Sequence, residues 1–154
     1  MRRSHGTASL PVLGITAAVG LAVGVSGYAF VYAQGASYLT NNPMACANCH
    51  VMQGHYDAWR QSPYHAVAVC NDCHTPSGLI AKYVVKAENG FHHSLAFTMG
   101  GYPENIRARP ASLKVVNDQC KHCHAAVAHD MGGTAAAEDA LDCVRCHASV
   151  GHLR

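Results

Sequence analysis

The sequence contains few of the residues that usually fill a hydrophobic core. Its 154 residues include only three Phe and one Trp. A chain of this length is enough for one small domain, but a domain so poor in aromatic side chains needs another source of buried apolar bulk. Runs rich in Lys and Arg are also missing, as are basic patches interleaved with aromatic residues, and the formal net charge is +2. We therefore predict no nucleic-acid partner.

Charged residues are missing from a long N-terminal stretch. After Arg3, the next Asp, Glu, Lys or Arg is Asp57. The gap contains the apolar run Leu10–Tyr32, which as a helix would rise roughly 34 Å and cross a hydrocarbon core of about 30 Å. A cleaved signal peptide is the alternative, but its apolar core usually has only about 7–15 residues. We therefore predict an uncleaved transmembrane anchor over residues 10–33.

The charges that flank this anchor predict its orientation. Arg2 and Arg3 precede it, and no positive residue follows it closely. The positive-inside rule then places residues 1–9 in the cytoplasm and residues 34–154 in the periplasm, with the anchor in a bacterial inner membrane. Gly20 and Gly24 form a GxxxG pattern that permits close approach of two helices. A homo-oligomer within a larger complex is one interpretation of this pattern, and glycine tolerated in lipid is the other.

All eight cysteines fall in four copies of one pattern, CxxCH. The copies are Cys46–His50, Cys70–His74, Cys120–His124 and Cys143–His147. This pattern attaches c-type haem: the two thiols bind the porphyrin edge and the histidine reaches the iron. Zinc ribbons would use the cysteines but leave the four histidines unexplained, and a redox CxxC needs a βαβ context that the sequence does not show.

We therefore predict four covalently bound haem c groups. The eight attachment residues are Cys46, Cys49, Cys70, Cys73, Cys120, Cys123, Cys143 and Cys146. Four large apolar plates would supply the bulk that the aromatic side chains do not. The predicted fold class is a multihaem cytochrome c, with one N-terminal transmembrane helix and a tetrahaem domain of short helices and irregular backbone.

The axial ligands of four irons are harder to assign, because ligand identity is not fixed by the attachment pattern. The CxxCH histidines supply four candidates. Further candidates are His55, His65, His92, His93, His122, His129 and His152. Met52 follows His50 by two residues, so its thioether is an alternative to His50 at the first iron, or else a methionine that fills a gap in the core. Spacing alone leaves these alternatives open.

The anchor, the four motifs and the Met52 that follows the first motif resemble the NapC/NirT/NrfH family of membrane-anchored multihaem c-type cytochromes, which are quinol dehydrogenases. Because it is short and has four motifs, the chain is most similar within this family to the small subunit of cytochrome c nitrite reductase. The resemblance covers nearly the whole chain and includes residues 46–52, 62–65 and 86–94, the two C-terminal motifs and His152.

The resemblance implies a ligand set. Met52 would bind the first iron in place of His50. His74 would bind the second iron, whose far side would take a lysine from the catalytic partner. Two histidine pairs would hold the last two haems, namely His124 with His152 and His147 with His65. Lys86 matches a lysine near the quinol site. His93 stands where some members carry an aspartate over the first haem, so it would bind iron, accept a quinol proton or do neither.

Apolar residues recur at every fourth position of 79–97, which predicts a helix with Lys86 and His93 on one face. Such a helix would lie in the membrane interface or pack on haem edges; the pattern fits both.

The leading hypothesis is menaquinol oxidation beside the first haem, at the outer face of the membrane, with Lys86, His93 or Glu88 assisting proton release. Electrons would pass to a periplasmic multihaem reductase, the pentahaem catalytic subunit of cytochrome c nitrite reductase, in anaerobic respiration of nitrite to ammonium. One alternative is a NapC-type dehydrogenase that feeds nitrate reductase or another periplasmic acceptor. A passive electron-transfer cytochrome without a quinol site is a second alternative. A haem-based sensor is disfavoured, because the sequence shows no output domain.

Overall fold

The computed structural model describes residues 9–103 and 105–152, and within them the regular structure is helical, with no β-strand. The predicted cytoplasmic segment 1–9 therefore lies almost entirely outside the described residues. The α-helices are α1 Leu10–Tyr32, α2 Gln53–Gln61, α3 Cys70–His74, α4 Leu79–Met99, α5 Pro110–Cys123, α6 Ala125–Gly132, α7 Ala135–Asp139 and α8 Cys143–Cys146. Short 3-10 turns occupy Gly35–Leu39, Pro43–Asn48, His50–Met52 and Pro63–Ala66.

Helix α1 has the length and composition of a membrane span. Pro11 stands in its first turn, where a missing N–H costs no intrahelical hydrogen bond. Its 23 residues have a mean hydropathy of 1.9 in their most apolar window, and the protein covers none of that window. A helix that is apolar on every side and uncovered by protein suits a lipid environment.

The rest of the described chain, from Ser37 onward, forms a separate compact unit. Within it, α3 packs on α5, and α5 also packs on α6 and α8. The 3-10 turn Pro43–Asn48 contacts both α2 and α3. Side-chain caps start several of these short elements: Asn42 accepts from the Met44 N–H, and Asp142 accepts from the Arg145 N–H. Local capping thus holds segments that are too short to be stable alone.

Helix α4 is the longest helix of this second unit. The fourfold spacing of apolar residues predicted a helix over 79–97, and the helix runs two residues further, to Met99. It ends at Gly100, whose φ of 66° is left-handed and suits a residue without a side chain. Many apolar side chains on α4 remain exposed, among them Leu79, Ile80 and Phe97.

Candidate haem-binding site

Three of the four CxxCH motifs adopt the same backbone. The second motif is itself helix α3, the third ends α5, and the fourth is α8 followed by His147. In the last two, the histidine N–H donates to the carbonyl of the first cysteine, over 2.8 Å for His124 to Cys120 and 2.9 Å for His147 to Cys143. Residues i and i+3 of a helix lie on one face, so each pair of thiols points the same way.

The first motif has a different backbone. Its first cysteine lies in the 3-10 turn Pro43–Asn48, but Cys49 is extended, with φ −89° and ψ 117°. A new 3-10 turn then starts at His50, and the Met52 N–H donates to the Cys49 carbonyl over 2.8 Å. Because the helical turn breaks at Cys49, His50 does not follow its cysteines in the way that His124 and His147 do.

These donor sets fit haem c. None of the eight cysteines is paired in a disulfide, so all eight are available to attach a porphyrin. Within the described residues, no group of three or more His, Cys, Asp or Glu side chains is arranged to hold a metal ion, so the zinc-ribbon alternative finds no preformed site. The described part of the chain buries a single apolar residue, Ala128. The apolar bulk that a domain needs must therefore come from a group such as a porphyrin.

The four motifs follow one another in space in the same order as in the sequence. The 3-10 turn Pro43–Asn48 contacts α3, which brings the first motif to the second. The interaction between the two thiols lowers the pKa of Cys46 and raises the pKa of Cys70. The packing of α3 on α5 brings the second motif to the third, and the packing of α5 on α8 brings the third to the fourth.

The thiol environments agree with this order. Burial raises the pKa of Cys73, and nearby Cys120, Asp72 and Cys123 raise it further. Burial also raises the pKa of Cys120, followed by the effects of Cys143 and Cys123. These shifts describe the free thiols before haem attachment, and they record which motifs are neighbours.

The predicted axial histidines have different neighbours. The His74 and His152 rings are 6.0 Å apart and nearly parallel, and His55 lies 4.9 Å from His152. Desolvation by nearby protein lowers the pKa of His74, and His152 and His55 act in the same direction, although His74 remains exposed. The structure thus brings His152 beside the second motif.

The other predicted ligands are spread over the unit. His65 stands against Trp59, with ring centres 5.1 Å apart, and the Trp59 indole N–H donates to the Ala68 carbonyl. His124 of the third motif lies 3.4 Å from the Tyr64 hydroxyl. The 3-10 turn Pro63–Ala66 therefore places Tyr64 beside the third motif and His65 beside Trp59 of α2.

Lys86 is a buried cation beside the first two motifs. Its side chain is 5% exposed, and its Nζ donates to the Thr40 carbonyl over 2.5 Å and to Asn41 Oδ1 over 3.3 Å. Asn71, inside the second motif, donates to the same two oxygens over 3.1 Å. Burial lowers the pKa of Lys86, and the neighbouring charge of Lys82 lowers it further.

His93 lies two turns further along α4, on the same side of the helix as Lys86. Its Nδ1 is 3.0 Å from the Tyr38 hydroxyl. Burial lowers the pKa of His93, and Arg109 and His92 act in the same direction. Tyr38 was not among the predicted site residues, because nothing in its sequence neighbourhood distinguishes it from an ordinary tyrosine.

Glu88, the third residue considered for proton release, is engaged elsewhere. Its Oε1 is 3.0 Å from Arg109 Nη1, and Arg109 Nη2 donates to Asn89 Oδ1 over 3.2 Å. This ion pair joins α4 to the N-cap of α5. Because this ion pair directs the Glu88 carboxylate to Arg109, Lys86 and His93 remain the better candidates.

Comparison with known proteins identifies the family. Residues 7–154 match the model described as the NapC/NirT cytochrome c family, N-terminal region. The chain is 34% identical over 143 residues to cytochrome c-type protein NrfH of Wolinella succinogenes, which covers 86% of this chain and 80% of the relative. It is 35% identical over 135 residues to cytochrome c nitrite reductase subunit NrfH of Nitratidesulfovibrio vulgaris, covering 88% and 81%.

A solved structure is similar as well. It is the cytochrome c nitrite reductase NrfHA complex bound to the inhibitor HQNO, with a TM-score of 0.63, 31% identity and coverage of 90% of this chain and 91% of the other. The predicted family and the predicted fold class are both confirmed. The chain is a membrane-anchored c-type cytochrome with covalently bound haem, and it belongs to the NapC/NirT cytochrome c family.

Proposed function

We propose that the chain is the quinol-oxidising, electron-transferring subunit of a cytochrome c nitrite reductase, carrying four haem c groups and using menaquinol as its electron donor. The observation that carries the proposal is the serial arrangement of the four motifs, from Cys46 beside Cys70 to α5 beside α8. When bound, haem would supply one-electron redox chemistry, and the cysteine pairs of neighbouring motifs would hold successive haems beside one another. The identity to two NrfH proteins supports the same role.

The first motif is the proposed entry point for electrons. Lys86 lies close enough to Cys46 that each affects the pKa of the other. Thr40 and Asn41 take two of the three N–H donors of its ammonium group, which leaves one donor for a quinol oxygen. His93 presents an imidazole two turns away on the same face. Lys86 would therefore bind the quinol and His93 would accept a proton from it.

The first iron would be held by Met52. The break in the helical turn at Cys49 removes His50 from the position that the other motif histidines occupy, and Met52 is half-buried whereas His50 is exposed. The remaining ligand assignments follow the family: His74 for the second iron, and the pairs His124 with His152 and His147 with His65. His152 also lies beside His74 of the second motif, so its pairing with His124 rests on the family resemblance.

The proposed setting follows from the anchor. Residues 10–33 would cross the inner membrane with residues 1–9 in the cytoplasm, so that residues 34–154 lie in the periplasm. The acceptor would be a periplasmic multihaem catalytic subunit, pentahaem in the family, and nitrite reduction would take place there. The similarity to a chain of the solved cytochrome c nitrite reductase NrfHA complex supports a partner of this kind.

Quinol-driven reduction of the bound haem tests the proposal directly. The full chain, purified in detergent, is mixed with a soluble menaquinol analogue and followed by haem absorbance. We expect rapid reduction, and reoxidation when a nitrite reductase catalytic subunit and nitrite are added. A chain that dithionite reduces but the quinol analogue does not would contradict quinol oxidation. Reduction by quinol without reoxidation by the nitrite system would point instead to a different periplasmic acceptor.

The second candidate is a passive electron-transfer cytochrome without a quinol site. The observation in its favour is that the Lys86 ammonium already links α4 to the Thr40–Asn41 segment, which is a sufficient structural role. Substitution of Lys86 separates the two candidates.

A further inference from the structure

The segment just before the first motif is fixed along one face of α4. The Tyr83 hydroxyl donates to the Leu39 carbonyl over 3.2 Å, and Lys86 donates to the Thr40 carbonyl. One turn beyond Lys86, the Tyr38 ring lies beside Gly90: a Cβ at Gly90 would be 3.5 Å from that ring, an ordinary van der Waals contact. These contacts determine where Tyr38 stands relative to α4.

In that position the Tyr38 hydroxyl reaches one nitrogen of His93. The distance from Oη to Nδ1 is 3.0 Å, and the two rings are tilted by 51°. A histidine ring has two nitrogens, and a hydrogen bond to one of them determines which role the other can take. Because Tyr38 engages Nδ1, Nε2 is the ring nitrogen that is available to hydrogen-bond with another group.

We propose that Tyr38 is a positioning residue for the quinol site: it holds the His93 imidazole through Nδ1, so that Nε2 is the nitrogen offered to the quinol hydroxyl. This inference rests on the proposed quinol-oxidising function. When the tyrosine oxygen accepts from Nδ1–H, the lone pair of Nε2 is available to accept a hydrogen bond from the quinol O–H. The sequence places Tyr38 eight residues before Cys46, so the same segment leads from the positioning contact to the first attachment site.

A double-mutant cycle tests the proposal. Tyr38→Phe keeps the ring against Gly90 but removes the hydroxyl, and His93→Gln removes the imidazole. We expect Tyr38→Phe to lower the rate of reduction by a soluble menaquinol analogue roughly tenfold to a hundredfold, mainly in kcat rather than KM, because a misoriented acceptor affects the reacting geometry. In the His93→Gln background, Tyr38→Phe should have no further effect, because the two residues act as one unit.

Two further measurements exclude a merely structural role. The electron paramagnetic resonance and absorbance spectra of the first haem should be unchanged in Tyr38→Phe, which would show that His93 is not an iron ligand released by the mutation. Tyr102→Phe, a change on an exposed tyrosine outside the site, is the matched control and should behave as the parent chain.

The outcomes are distinguishable. If the parent chain is not reduced by the quinol analogue, the proposed function fails, and the cycle has nothing to measure. If the parent chain is reduced but Tyr38→Phe reacts at the parent rate, or the two mutations are additive, the positioning role of Tyr38 is overturned while quinol oxidation stands. A changed axial ligation of the first haem in Tyr38→Phe also overturns it.

Discussion

At the scale of single residues, Lys86 links segments of the fold and is also the proposed quinol-binding residue. A lysine side chain is rarely buried unless its ammonium is hydrogen-bonded, and here the carbonyl of Thr40 and the amide oxygen of Asn41 meet that need. Asn71 of the second motif shares the same two acceptors. One small polar cluster therefore joins α4, the segment before the first motif and the second motif.

Lys86→Gln separates the structural from the chemical role. Glutamine keeps an amide donor for Thr40 but removes the positive charge, so the fold should persist. We expect quinol-driven haem reduction to fall at least tenfold, in line with the loss of a positioned charged donor, while reduction by dithionite is unchanged. Lys82→Gln, one turn earlier on α4, is the control. Equal quinol-driven rates in both variants would support the passive electron-transfer candidate.

Met52→Leu tests the ligand of the first iron. Leucine matches methionine in volume but has no thioether, so packing changes little. We expect the absorbance and magnetic spectra of one haem of the set to change, since axial ligand identity controls them. Met44→Leu, in the preceding 3-10 turn, should leave the spectra unchanged. If Met52→Leu is silent and His50→Gln is not, His50 binds that iron.

The sequence predicts the attachment cysteines, Lys86 and His93 as site residues. Motif spacing and family resemblance are both read from the order of residues in the chain, so they can identify these positions. It does not predict Thr40, Asn41 or Tyr38. The first two act through a main-chain carbonyl and a short amide side chain, and they meet Lys86 across 46 and 45 residues of sequence. Contacts of this kind depend on how the segments pack, and no local pattern encodes them.

At the scale of elements, the turn between α6 and α7 leaves no room for a side chain at Gly132. A Cβ there would lie 2.6 Å from Glu138 Cγ and 2.7 Å from the Glu138 backbone nitrogen. The same glutamate is paired with His129, one turn before the end of α6, at 2.8 Å. Gly133, with φ of 69°, completes the reversal of the chain.

Gly132→Ala should therefore destabilise the haem-binding unit by about 1–3 kcal/mol, the usual cost of forcing backbone apart by a methyl group. The measurement is chemical denaturation followed by circular dichroism. Gly101→Ala is the control, because a Cβ at Gly101 meets no atom within 4 Å. Equal midpoints for the two variants would show that the α6–α7 turn can relax around the methyl group.

The long elements follow from the sequence more readily than the short ones. Apolar composition predicts α1, and the recurrence of apolar residues at every fourth position predicts α4, because these signals extend over 23 and 19 residues. The bounds of α3 and α8, with five and four residues, are set by caps such as Asp142 and by packing on α5. Helices of this length have no periodicity to detect, so the sequence predicts only that such elements exist.

At the scale of the whole molecule, the serial order of the motifs means that electrons must pass through the second and third haem sites to reach the fourth. If electrons enter at the first motif, loss of the third should isolate the fourth, whereas loss of the fourth should isolate nothing.

A pair of double mutants tests this order. Cys120→Ala with Cys123→Ala removes the third attachment site, and Cys143→Ala with Cys146→Ala removes the fourth. Intact mass should show three haems in each. We expect quinol to reduce all the haem of the second variant rapidly, but only two-thirds of the haem of the first, with a slow remainder. The same fast fraction in both variants would mean that the path branches or bypasses the third site.

The contact between Cys46 and Cys70 has a consequence for biogenesis. These thiols belong to different motifs, yet the 3-10 turn Pro43–Asn48 contacts α3 in the folded chain. The interaction between the two thiols lowers the pKa of Cys46 and raises the pKa of Cys70. In an oxidising compartment, a newly exported chain that folded first would cross-link this pair and lose two ligation sites at once. We therefore expect porphyrin attachment to precede tertiary folding, or a reductant to keep this pair reduced. Cells starved of haem should then accumulate a Cys46–Cys70 disulfide that peptide mass mapping can detect.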